Sequence, residues 1–144
     1  MSKTILCAVD INRPDTEKDV LTTAAKLAEM DDAQLDVITV VPDFGMTVVG
    51  AYFQDHQIET AKSKAGELLK EMTKSALGAD MDAKVRHIVA MGTVYEELLR
   101  IADLNKSDLI VIGASRPDFK DYLLGPNAAR VVRHSECSVY VVRH

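Results

Sequence analysis

No apolar run in this chain approaches the ~18 residues that a membrane span requires. Cysteine is nearly absent: Cys7 and Cys137 fit no metal spacing, and both fall in or beside apolar runs. Buried free thiols are therefore expected, and neither a disulfide nor a nucleophile. Basic charge is short too. The net charge of −5 argues against a dedicated nucleic-acid binder. No Gly-Lys-Ser/Thr completes a Walker sequence, and no acidic pair ends the first apolar run as in a response regulator. Paired carboxylates, a metal-ligand cluster and a Ser-His-Asp set are all missing. His56, His87 and His134 are scattered and His144 is terminal, so no histidine is expected to be catalytic. The opening residues enter a strand-like run at once, without a cleavable signal pattern, which makes the cytoplasm the expected location. These absences leave a binding protein without visible machinery for turnover.

What is present is ordinary globular material. Apolar residues make up 47% and charged residues 27% of 144 positions, enough for one domain burying roughly 70% of its unfolded surface. Residues 4–9 read as a buried strand ending on Asp10. A helix follows from Thr16, with Val20, Ala24, Leu27 and Ala28 at helical spacing and Thr16–Asp19 resembling a capping box. Residues 35–41 form a second strand, closed by Pro42. Residues 43–57 have no clear period. A long amphipathic helix then carries Ile58, Ala61, Ala65, Leu68, Met72 and Ala76 on one face, with Gly78 as its terminating glycine. The third strand spans 85–91 and ends on Gly92. Thr93 and Glu96 form a capping box for a helix with Leu98, Leu99 and Ala102 buried. The remaining elements are a strand at 109–112, a helix from Pro126 to His134, and a strand at 138–143.

Strands apolar on both faces, alternating with helices, predict an α/β fold: a doubly wound five-stranded parallel sheet with helices on both faces. The order 3-2-1-4-5 suits five strands and four right-handed crossovers. It reverses between the first and fourth strands, so a ligand is expected beside Asp10 and Gly113, at their carboxyl ends. Gly113 ends a strand and Gly125 immediately precedes a helix, an arrangement that presents free backbone amides to an anion. Pro126 has no N–H, so Asn127 and Ala128 must supply the helix-end donors. The window 114–134 holds Arg116, Lys120, Arg130 and Arg133 against Asp118 and Asp121, about +2 in an acidic chain. Arg130 and Arg133 complement the carboxyl end of their own helix. Arg116 is left over, and a guanidinium suits phosphate oxygens. Asp10 has two readings of equal weight, a loop hydrogen bond or a contact to a sugar hydroxyl or base amine.

The run from Ala114 resembles the universal stress proteins. It has a Ser115-Arg116-Pro117-Asp118 start, a Tyr122-Leu123-Leu124-Gly125 centre and an Asn127-Ala128-Ala129 helix opening, like the F/G-type, nucleotide-binding branch. It departs from the family's G-x2-G-x9-G-[ST] pattern: Arg116 stands at the second glycine, Gly125 comes one residue early, and Pro126-Asn127 replaces Gly-Ser. The likeness covers residues 1–144 as one domain. It implies an adenine nucleotide alpha hydrolase-like fold and ATP, with or without Mg²⁺, as the bound cofactor. Ala8, Val9 and Asp10 would take the adenine side, Val40 the base, and Ile112 and Gly113 the ribose. Ser115, Arg116, Gly125, Pro126, Asn127 and Ala128 would fall on the phosphate segment, with Gly92 near the pocket. The resemblance also implies a homodimer joined through the last strand, acting in stress response. Two rivals stay open: slow ATP hydrolysis or self-phosphorylation, with Ser115 as acceptor, and a dimeric scaffold with no nucleotide.

Overall fold

The computed structural model of the chain describes residues 3–42, 55–114 and 125–143, with side chains from residue 58 in the second stretch. In order, the elements are β1 (Thr4–Ala8), α1 (Pro14–Asp31), β2 (Gln34–Val41), α2 (Asp55–Leu77), α3 (Ala79–Asp82), β3 (Arg86–Met91), α4 (Val94–Leu104), β4 (Leu109–Gly113), α5 (Pro126–His134) and β5 (Ser138–Val142). The strands form one sheet in the order β3-β2-β1-β4-β5, and every pairing is parallel. The architecture is the one expected from the alternation of the sequence.

Strand side chains alternate between two cores because successive residues point to opposite faces. Ile5, Cys7, Val37 and Val111 pack with Val20, Leu21 and Ala24 of α1 and with Leu69 and Met72 of α2. Leu6, Ala8, Ile38, Ile110 and Ile112 pack with Leu98 and Ala102 of α4 and with Ala128 and Val131 of α5. The middle of the sheet is thus covered on both faces, which is why β1 and β4 read as continuous apolar runs and β2 is interrupted only by the buried polar residues Asp36 and Thr39.

Local details differ from the sequence expectation. α1 starts at Pro14, with proline at the head of the helix, and Arg13 is its N-cap residue without a side-chain cap bond. Proline has φ preset for a helix and lacks the N–H that would go unpaired there. Thr16 therefore lies inside the first turn, and its capping box does not form. Thr93 does precede α4, yet its side chain makes no cap hydrogen bond. Its carbonyl accepts the Glu97 N–H at 3.0 Å instead. On α2 the expected stripe is broader than its one row: Ala65 and Met72 are buried as expected, Leu69 and Thr73 beside them are fully buried, and Ala61 is exposed. α2 packs on α1 as well as on β2 and β3, so more than one row of its side chains is covered. His87 has a structural place here. Its Nε2 lies 2.9 Å from Thr73 Oγ1 and 2.8 Å from Asp82 Oδ1, tying α2 and the short helix α3 to β3.

At the amino ends of the strands, Asp36 on β2 is fully buried. Arg86 donates to it through Nε at 2.6 Å and Nη2 at 2.9 Å, and Asn105 Nδ2 donates at 3.0 Å. The hydrogen bond to Asp36 raises the Arg86 pKa beyond its ordinary value, against the opposing effect of burial.

Cys7 has no solvent exposure, and Cys137 is half-buried. Burial, reinforced by the nearby Glu17 carboxylate, pushes the Cys7 thiol above its ordinary range. Only the thiolate attacks a disulfide reagent. Ellman's reagent at pH 8 should accordingly label Cys137 in the native protein and Cys7 only after urea unfolding. Simultaneous labelling of both in native buffer would contradict this packing.

Candidate functional site

The order reverses at β1, which pairs with β2 on one side and β4 on the other. A cleft of about 440 Å³ opens there, at the carboxyl ends of β1, β2 and β4. This lies within the roughly 300–1,000 Å³ range of small-molecule sites. Its walls come from four places: residues 8–13 with Thr16 and Glu17, residues 39–42, residues 112–114, and residues 125–128, with Val94 and Leu98 beneath.

Ala8, Val9, Asp10, Val40, Ile112, Gly113, Gly125, Pro126, Asn127 and Ala128 are all in this lining. Gly92 is not among the lining residues. It has φ +143°, and a Cβ there would press on the Glu97 side chain at 3.3 Å, so its glycine answers to α4 packing. Ser115 and Arg116, together with residues 43–54, lie outside the described residues.

Ala8, Val40, Ile112 and Leu98 make one side of the cleft apolar, fit for a flat ring. The polar side is defined by which backbone donors are already used. Asp10 N–H donates to Glu17 Oε1 at 3.0 Å, Ala114 N–H to the Val142 carbonyl at 2.9 Å, and Gly125 N–H to the Ala114 carbonyl at 2.6 Å. The last bond closes the two ends of the 114–125 connection on each other. Gly125 itself has φ −60° and ψ 161°, an extended conformation that any residue can adopt. It is thus the N-cap of α5 and not a free anion donor. The donors left open among the described residues are the amides of Asn127 and Ala128, which a helix start leaves without intrahelical partners. They carry the positive end of the α5 dipole.

Asp10 accepts the Asn12 N–H on Oδ1 at 2.9 Å, while Arg13 N–H donates to the Asp10 carbonyl at 3.1 Å. The loop-bonding reading of Asp10 is therefore realised, at a residue that also lines the cleft. Four further lining residues were not expected from the sequence: Asn12 and Arg13 from the β1–α1 connection, and Thr16 and Glu17 from the first turn of α1. The switch-point rule that selected Asp10 applies equally to the residues just after it. Among the described residues no group of three or more acidic, His or Cys side chains is placed to hold a metal ion.

The universal stress protein family model matches residues 1–143. Universal stress protein G of Escherichia coli O157:H7 is 26% identical over 149 residues, covering 99% of this chain and all of that protein. Among solved structures, a universal stress protein from Archaeoglobus fulgidus in complex with dAMP is similar, with a TM-score of 0.65 and 20% identity. That match covers 96% of each chain. A universal stress protein in complex with cAMP has the same TM-score at 22% identity, covering 99% of this chain and 97% of its own. With its 3-2-1-4-5 sheet, its switch-point cleft and a family match along nearly every residue, the chain belongs to the universal stress protein family.

Proposed function

We propose that the cleft binds an adenine nucleotide, ATP with or without Mg²⁺, and that the protein is a nucleotide-occupied stress-response module in the cytoplasm. One observation carries this reading: an apolar wall and the helix-start amides of Asn127 and Ala128 belong to the same cleft. The first suits adenine and the second suits phosphate. The dAMP and cAMP complexes of two fold relatives support the choice of adenine over other bases. In this reading Ser115 and Arg116 close on the phosphate chain from the connection between β4 and α5. The residues offer binding and orientation rather than a general base, so turnover is at most slow. Mass spectrometry of the small molecule released on denaturation tests the reading. An adenine nucleotide supports it; a protein purified without any, and unable to take up ATP, opposes it.

The same proposal includes a homodimer. β5 pairs with β4 along one side only among the described residues, and Tyr140 on it is 45% exposed. An unpaired apolar edge is an aggregation hazard unless a partner covers it, and a twofold copy of the same strand is the simplest cover. Light scattering should give twice the 15.8 kDa chain mass. A monomer at micromolar concentration would contradict the dimer.

A further inference from the structure

We propose that Arg13, on the turn between β1 and α1, is the side chain that grips the phosphate of the cleft's ligand. The inference rests on the nucleotide reading above and adds a cation that the family pattern does not supply. Arg13 lines the cleft, yet its Nη2 is shut off from solvent and meets no hydrogen-bond acceptor among the described residues. A guanidinium is always charged and has donors only, so leaving one of its N–H groups dry and unpaired is costly. Such a group in a native fold calls for a missing acceptor.

The acids close to it in sequence do not fill that role. Asp10 Oδ1 accepts the Asn12 amide and Glu17 Oε1 accepts the Asp10 amide, and no acceptor among the described residues reaches Arg13 Nη2. From another wall of the same cleft, α5 offers the amides of Asn127 and Ala128. A single phosphate or phosphodiester group between them would supply acceptors to both sides. The flat fork of a guanidinium matches two phosphate oxygens better than an ammonium does. The cleft is thereby built to prefer a nucleotide over the corresponding nucleoside, with Arg13 as the residue that makes the distinction.

The test is calorimetric titration of nucleotide-free protein with AMP and with adenosine, for the wild type, Arg13→Met and Arg13→Gln. The wild type should bind AMP at least about 10-fold more tightly than adenosine, as one charge-assisted contact allows. Both variants should erase that preference and leave adenosine affinity in place. Arg13→Met should also melt higher than the wild type without ligand, because an unpaired buried donor has gone. An unchanged AMP-to-adenosine ratio, or equal weakening of the two, overturns the assignment. Should the wild type bind neither compound, the nucleotide reading fails by itself. Arg13 is then decided by inorganic phosphate: ³¹P line broadening with wild type but not with the variants upholds it, and no broadening refutes it.

Discussion

Asn127→Asp is expected to weaken adenine-nucleotide binding by about 10-fold or more while slightly raising the melting temperature of the free protein. Asn127 is the second residue of α5, where backbone N–H groups are unpaired. A carboxylate there interacts favourably with the helix dipole, by about 0.3–1 kcal/mol. The same carboxylate would face the phosphate. Two like charges about 4 Å apart repel by roughly 1 kcal/mol in water and 4 kcal/mol near a protein surface. Even the middle of that range exceeds a factor of ten in affinity. The two effects have opposite signs, which separates a binding defect from a folding defect. Calorimetry and a thermal melt on one preparation check both. Retained AMP and ATP affinity would mean that the phosphate does not lie at the α5 amino end.

The second large effect is on stability. Arg86→Ala should cost about 3 kcal/mol and lower the melting temperature by roughly 6–12 °C. The asymmetry of the pair sets this size: the Arg86 side chain is 57% exposed, whereas Asp36 is fully buried. Removing the arginine leaves a carboxylate in the core with Asn105 as its remaining side-chain partner among the described residues. Water entering the vacated space keeps the cost near the low end of the range for broken buried pairs. The pair lies at the amino ends of β2 and β3, whereas the cleft lies at the carboxyl ends. Nucleotide affinity well below the melting point should therefore be unchanged. Urea unfolding measures the first quantity and titration in the cold the second. A loss of less than about 1 kcal/mol would show that Asp36 is reached by solvent.

Much of the sheet was legible because it follows from patterning. β1 and β4 are apolar on both faces, and that alone requires helices above and below. α5 was readable residue by residue, since proline at its head and basic residues in its last turn mark both ends. The cleft followed from strand order, because a doubly wound sheet leaves its gap where the order reverses. What the sequence hid depends on distant partners. Asp36 looks like any polar residue in a strand, and its ligands Arg86 and Asn105 lie 50 and 69 positions away. Thr73 reads as a surface position of α2 until Asp82 and His87 come against it. Thr16 and Thr93 fit the capping-box pattern, yet one lies inside its helix and the other makes no side-chain cap. Arg13 precedes a proline in what reads as a plain loop. Only the enclosed, unpaired nitrogen gives it meaning. The expectations for Ser115 and Arg116 fall outside the described residues and rest on the resemblance and on the chemistry of a guanidinium.

Titration of nucleotide-stripped protein with ATP in the presence of Mg²⁺ bears most directly on the central claim. Saturable heat with micromolar affinity and one nucleotide per chain is the predicted result. No heat up to high micromolar concentrations would contradict it, and would leave a folded family member whose cleft serves something other than a nucleotide.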